Sequence, residues 1–247
     1  MSTINSKAQI RSLIWQSLKD HHMEAFPGAL GRIPNFIGAG EAGKLLFELP
    51  AWREARTIKC NPDLAQRPLR KKALEEGKVV FMAVPRLSER DCFLRLDPRH
   101  FPDHNRASSI KGAFQVGQLI NPRDMPSIDL IVSGAVAVQR DGARLGKGGG
   151  FADLEYAIAR RLGLIDDRTP VVTTVHPLQL VDNVIPMTNH DVPVDYIATP
   201  QEIIECPSIF AKPTRISWEI LGGKLGEIPI LQDLLASESR TRRSRSE

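Results

Sequence analysis

Cysteine is scarce in this chain: Cys60, Cys92 and Cys206 stand far apart, with no Cys-x-x-Cys pair. That spacing supports neither a zinc finger nor a disulfide framework, and reads as reduced thiols in a cytoplasmic protein. Long apolar runs are also missing, since none approaches the roughly 20 residues that cross a bilayer. The opening MSTINSKAQIRSLIW lacks the apolar stretch and cleavage site of a signal peptide. A surplus of one charge is missing too. The formal net charge is +4, and residues 237–247 hold four arginines against two glutamates, which leaves +2 for the rest. A nearly neutral body, with no block of glycines and aromatics of the kind that reads RNA, argues against a nucleic-acid partner. A weak anion contact through the arginine-rich tail is the exception.

What is present suits one large α/β domain: 247 residues with 42% hydrophobic and 25% charged side chains can bury a sizeable core. The pattern places a single domain over 1–236 and a Ser/Arg-rich tail, read as disordered, over 237–247. Residues 7–19 read as an amphipathic helix with Ile10, Leu13, Ile14 and Leu18 on one stripe. Lys7 and Arg11 share a face beside that stripe, either as a phosphate or carboxylate clamp or as a solvated basic edge. Strands are expected at 56–60, 78–84, 91–96, 170–175 and 195–199. Helices are expected at 42–49, 68–76, 152–162 and from Pro200 to Glu205, with a helical segment over 212–236 interrupted by Gly222-Gly223 and Pro229. This β–α–β alternation predicts a three-layer, mainly parallel sheet with helices on both faces. His100 and His104 are four apart, but Pro102 between them argues against a helix that would make them zinc ligands.

The most informative stretch is 128–157. Two apolar runs, ending at Ser133-Gly134 and at Gln139-Arg140-Asp141-Gly142, lead into Arg144-Leu145-Gly146-Lys147-Gly148-Gly149-Gly150, and a helical pattern opens near Phe151. Closely spaced glycines let backbone amides approach a ligand, and with the following helix N-terminus they suit a phosphate. Lys147 adds a point charge, and Asp153 in the first turn could hold a metal bridging to that phosphate. The alternative is a flexible hairpin loop with a solvated lysine, because the spacing is neither a P-loop nor a Rossmann fingerprint.

Three separated patterns point the same way: Lys7-x-x-x-Arg11, DLIVSGAVAVQRDGARLGKGGGFAD, and NHDVPVDYIATP (189–200) downstream of Gln179. Together they resemble the 5-formyltetrahydrofolate cyclo-ligase (methenyltetrahydrofolate synthetase) family over roughly residues 7–204. GRIPNF, NPDLAQRPLR and the KPTRISWEI…GEIPIL end are closer to the methenyltetrahydrofolate synthetase domain-containing subgroup. In animal members of that subgroup an RNA-recognition motif follows, and this sequence ends before one.

The resemblance implies a cyclo-ligase-like, Rossmann-like fold and MgATP-dependent closure of 5-formyltetrahydrofolate to 5,10-methenyltetrahydrofolate. It implies ATP contacts from Lys7, Arg11, Gly146, Lys147, Gly148, Gly149, Gly150 and Phe151, with Lys147 and Arg11 acting in catalysis. It also implies folate contacts from Arg11 and Asp63, and Mg²⁺ held by Asp153 and Asp191. Two departures stand out. The usual loop ends Gly-Tyr-Tyr-Asp-Arg, whereas here Gly150 is followed by Phe151-Ala152-Asp153-Leu154. The glutamate of the usual Glu-x-x-Thr block has no direct match; counting back from Gly77-Lys78 places Asp63, shorter by one methylene and in a different local sequence, near that position. These changes motivate a second reading, a non-catalytic nucleotide or folate binder, while the arginine-rich tail and the animal relatives suggest a third, an RNA-associated protein of the same fold. The oligomeric state is not legible.

Overall fold

A capping box opens the first helix: Ser6 Oγ accepts from the Gln9 amide, and the Gln9 side chain accepts from the Ser6 amide. The computed structural model describes residues 6–243 apart from Asn183 and Ser208, with 238–243 described as backbone only. The helices are α1 (Lys7–Asp20), α2 (Ala39–Leu46), α3 (Pro50–Glu54), α4 (Arg67–Glu75), α5 (His104–Ala107), α6 (Ile110–Val116), α7 (Phe151–Arg161), α8 (Lys224–Glu227) and α9 (Pro229–Arg243). The strands are β1 (Thr57–Cys60), β2 (Val79–Ala83), β3 (Phe93–Leu96), β4 (Gln118–Ile120), β5 (Leu130–Val132), β6 (Ala137–Val138), β7 (Arg144–Leu145), β8 (Val171–Thr174), β9 (Tyr196–Ala198) and β10 (Ile203–Glu205).

Eight of these strands form one sheet in the order β10-β9-β8-β5-β1-β2-β3-β4, and β6 pairs with β7 in a separate hairpin. The run from β9 to β2 is parallel, with antiparallel strands at both margins. Lys59 pairs in register with Ile131 on one side and Phe81 on the other, so these side chains share a face. Helix α7 covers that face, where Glu155 forms an ion pair with Lys59. On the opposite face, Gln66 just before α4 donates to Thr174, and α2 packs on β8 and β9. Helices therefore cover both faces, and the α/β class expected from the alternation is what forms. Among the described residues no helix is long and apolar enough to cross a membrane.

Several local expectations need correction. Leu13, expected on the buried stripe of α1, is 43% exposed. The helix packs a narrow line of Ile10, Ile14 and Leu18 against the β6–β7 hairpin through Val136, Ala137 and Leu145. Residues 200–205 do not begin a helix. Thr199 Oγ1 accepts from the amides of Gln201 and Glu202, and the turn sends β-branched Ile203 and Ile204 back along β9 as β10. The segment over 212–236 breaks at Gly222-Gly223 and Pro229 as expected, but its start, 212–217, is not helical. Its chain reaches α8 and α9 only after a short turn at Trp218–Ile220, because Pro213, Gly222-Gly223 and Pro229 interrupt it. Helix α9 then enters the stretch read as tail and continues to Arg243, while residues 244–247 lie outside the described residues. It is anchored by Ile230, Leu231 and Leu234, which are buried in the main core.

Candidate functional site

The parallel strands read outward in two directions from the middle of the sheet: β1 leads to β2 on one side, and β5 leads to β8 and β9 on the other. The crevice beyond the carboxyl ends of strands at such a reversal is where open α/β sheets hold ligands. Asn61 follows β1 and Gly134 follows β5, and the Gly134 amide donates to Asn61 Oδ1 at 3.2 Å. A cavity of about 600 Å³ opens there. The loop 61–63 is braced from below by Arg70, whose exposure is 0%. Arg70 Nη1 donates to Asn61 O at 2.6 Å and to Asp63 O at 3.0 Å, and its Nε donates to Ser108 O at 2.9 Å.

One wall of the cavity is the glycine loop. Gly148 (φ +107°) and Gly150 (φ +66°) occupy left-handed conformations that side chains rarely adopt. A Cβ added at Gly148 would lie 3.4 Å from the Arg11 guanidinium carbon. Arg11 Nε donates to Gly146 O at 2.7 Å, which holds the start of the loop to α1. Burial lowers the Arg11 pKa, partly offset by the Asp191 carboxylate. Gly150 is the N-cap of α7 and no side chain caps it. The first amides of α7 therefore have no intrahelical acceptor and carry the positive end of the helix dipole.

The loop's other end is set by Arg144, which is 2% exposed. It donates through Nε to Val192 O (3.0 Å) and through Nη1 to Gly134 O (3.3 Å), and its Nη2 pairs with Asp153 Oδ1. The Val192 amide donates to that same Asp153 oxygen at 3.0 Å. Asp191 lies next to this contact, and its Oδ2 accepts from Lys7 Nζ (2.5 Å), the Thr188 amide (2.7 Å) and Thr188 Oγ1 (2.6 Å). Burial pushes the Asp191 carboxyl upward, but these bonds outweigh it and leave its pKa below the ordinary value.

Of the residues singled out in the sequence, Asp63, Gly146, Lys147, Gly149, Gly150, Phe151 and Asp153 line the cavity. Lys7, Arg11, Gly148 and Asp191 are not part of that lining. Arg11 stands behind the loop on its carbonyl side, and Lys7 is committed to Asp191. Among the described residues no cluster of three or more His, Cys, Asp or Glu forms a resident metal site. Asp153 faces the cavity, and no hydrogen bond reaches its Oδ2 among the described residues. One carboxylate completed by phosphate and water oxygens is a usual Mg²⁺ environment, so Asp153 fits an ion arriving with a phosphate. Asp191 fits less well, because its Oδ2 already takes three donors.

Beside the loop, Lys147 and Asp153, the cavity lining includes the apolar Ile33, Val84, Ile110 and Phe114. A ligand with a polyanionic part and a flat ring system matches that combination. Arg86, also in the lining, has a left-handed backbone (φ +59°), which is unusual for a residue with a side chain. Glu155 joins the lining. It is paired with Lys59, and Asn61 Nδ2 donates to its Oε2 at 3.3 Å. Sequence reasoning missed Arg144, Arg70, Asn61 and the Lys59–Glu155 pair. The available signals were a lysine inside the apolar strand TIKC and an arginine directly before Leu145-Gly146.

Residues 3–200 match the sequence profile of the 5-formyltetrahydrofolate cyclo-ligase family. The chain is 38% identical over 243 residues to a mouse methenyltetrahydrofolate synthase domain-containing protein, covering 95% of this chain and 64% of the relative. The human protein of that name is 34% identical over 243 residues, again with 95% of this chain and 63% of the relative covered. The chain thus spans less than two thirds of the length of these relatives. Among solved structures, the 5,10-methenyltetrahydrofolate synthetase of Aquifex aeolicus superposes with a TM-score of 0.50 at 18% identity, covering 83% of this chain and 95% of that one. At that identity the likeness concerns the fold.

Proposed function

Because this chain belongs to the 5-formyltetrahydrofolate cyclo-ligase family, we propose that it binds MgATP on the glycine loop and uses it to close 5-formyltetrahydrofolate to 5,10-methenyltetrahydrofolate. The observation that carries this reading is a single cavity that joins the loop, Lys147 and Asp153 to an apolar wall at the sheet's reversal point. In this reaction the formyl oxygen attacks the γ-phosphorus and ADP leaves. N10 then captures the activated carbon, loses its proton, and the oxygen departs with inorganic phosphate. Such chemistry asks the protein for positioning and for neutralisation of phosphate charge. The amides at the start of α7 and the Lys147 ammonium supply that neutralisation. Asp153 would hold a Mg²⁺ ion, which would help to neutralise phosphate charge, and Asp191 is the second carboxylate of that assignment although Lys7 engages it here. The apolar wall around Ile110 and Phe114 would seat the pterin ring, and Asp63 would accept from its N–H groups.

The decisive assay follows formation of the methenyl product by absorbance, with ATP omitted as the control. ATP-dependent product formation is expected; equal rates with and without ATP would overturn the reaction. A second reading, a binder without turnover, is favoured by one observation. Leu154 stands where the usual loop has an arginine and is 5% exposed in the core, so α7 offers no cation there. MgATP binding without product formation would select that reading.

A further inference from the structure

Lys224 begins α8, in the part of the chain that lies beyond the family-matched residues 3–200. Its Nζ donates to Gly149 O at 2.6 Å and lies 5.1 Å from the centre of the Phe151 ring. A Cβ added at Gly150 would sit 3.2 Å from the same nitrogen. One ammonium therefore touches three consecutive residues of the glycine loop. Gly149, Gly150 and Phe151 line the cavity, and Lys224 does not. It grips the loop from outside.

The consequence follows from peptide geometry. In a planar trans peptide the carbonyl and the next amide point in opposite directions. Holding Gly149 O toward Lys224 turns the Gly150 amide away from it. Arg11 acts on Gly146 O in the same way, which orients the Lys147 amide. Two cations on the outer side of the loop thus set two amide directions. Lys224 is itself fixed in place, because Leu221 and Ile228 on either side of it are buried in the main core. Its charge also lies close enough to the loop to favour an anion there.

We propose that Lys224 is a positioning residue of the phosphate loop, supplied by the C-terminal segment, and that it holds the Gly149–Gly150 peptide in the orientation that receives the nucleotide's phosphates. This rests on the nucleotide reading above.

The test uses the full chain with Lys224→Met, Lys224→Gln and Lys224→Arg. MgATP affinity is measured by calorimetry, and the melting temperature is measured without ligand. Lys224→Met should weaken MgATP binding by about tenfold, as expected for loss of a charge-assisted hydrogen bond. Lys224→Arg should restore most of the affinity, and Lys224→Gln, which keeps a neutral donor, should fall between. Unliganded melting temperatures should stay together, which separates loop positioning from general stability. Should the Met variant fail to fold, the Gln and Arg pair makes the same comparison. Parent-like affinity in Met and Gln, or an Arg variant no better than Met, overturns the proposal while leaving the nucleotide reading intact. If the parent chain itself binds no MgATP, the nucleotide reading fails first and this proposal falls with it.

Discussion

Lys147 of the glycine loop reaches across the cavity to Asp63 beyond β1, with Nζ 3.5 Å from Oδ1. The lysine is half exposed, so this pair contributes little to stability. An incoming phosphate competes with Asp63 for the same ammonium. Asp63→Asn should therefore tighten MgATP binding about two- to fivefold, while slowing folate turnover by removing a contact to the pterin. Calorimetry and product absorbance check the two halves. Weaker MgATP binding in the variant would contradict the competition.

Arg144 joins three segments through Val192 O, Gly134 O and Asp153. Arg144→Met strands these acceptors and should destabilise the fold by about 3 kcal/mol in urea titration. Arg144→Lys should recover little of this, because one ammonium cannot reproduce the planar fork that spans separated acceptors. A lysine variant with parental stability would show that charge alone is needed.

The Lys59–Glu155 side chains are 7% and 6% exposed. Lys59→Met alone leaves a buried carboxylate without its cation, a loss of about 3–5 kcal/mol. Adding Glu155→Leu should return most of that stability, since an apolar pair of similar volume avoids both desolvation costs. Additive losses in the double variant would refute this account.

Acid should act through Asp97. Hydrogen bonds from Arg99 outweigh the upward push of burial and hold its carboxyl well below the usual carboxylate range, with Arg95 adding to the effect. A carboxyl depressed in the folded state contributes stability above its unfolded pKa, and this is lost as pH falls toward the folded value. Melting temperature should therefore decline on acidification below about pH 4, and Asp97→Asn should flatten that decline. An unchanged slope in the variant would place the acid sensitivity elsewhere.

Burial lifts the Cys92 and Cys206 thiols to about 12 and also raises Cys60. Since the thiolate is the nucleophile, a disulfide reagent at pH 8 should leave all three unmodified in the native protein. In denaturant it should titrate all three. Rapid native labelling would mean that the fold opens locally.

The sheet's centre was legible because buried parallel strands such as β2 and β8 are short apolar runs bounded by turns. The glycine loop was legible because clustered glycines restrict what a backbone segment can be used for. Helix α6 and strand β4 were not: GAFQVGQLI carries no clean period, and its first turn depends on Ser109 accepting from the Gly112 amide. The supporting cations were hidden for a different reason. Arg70, Arg144 and Lys224 have their meaning through acceptors brought to them by other segments, and nothing in their neighbours along the chain marks a buried or loop-gripping charge. Asp153 and Asp191 were readable as acidic positions, yet their present partners, Arg144 and Lys7, follow only from the fold.

The Lys7–Asp191 contact closes a separation of 184 residues, and α1 rests on a hairpin made from residues 136–145. At roughly 5–20 residues per second on the ribosome, Lys7 waits on the order of ten to forty seconds for its counterion to be synthesised. The stripe of Ile10, Ile14 and Leu18 waits less long, since its native covering surface is complete once residues 136–145 have followed it. A chain that stops short of residue 136 would therefore leave the α1 stripe uncovered, so the docking of this helix reports that the β6–β7 hairpin has been made.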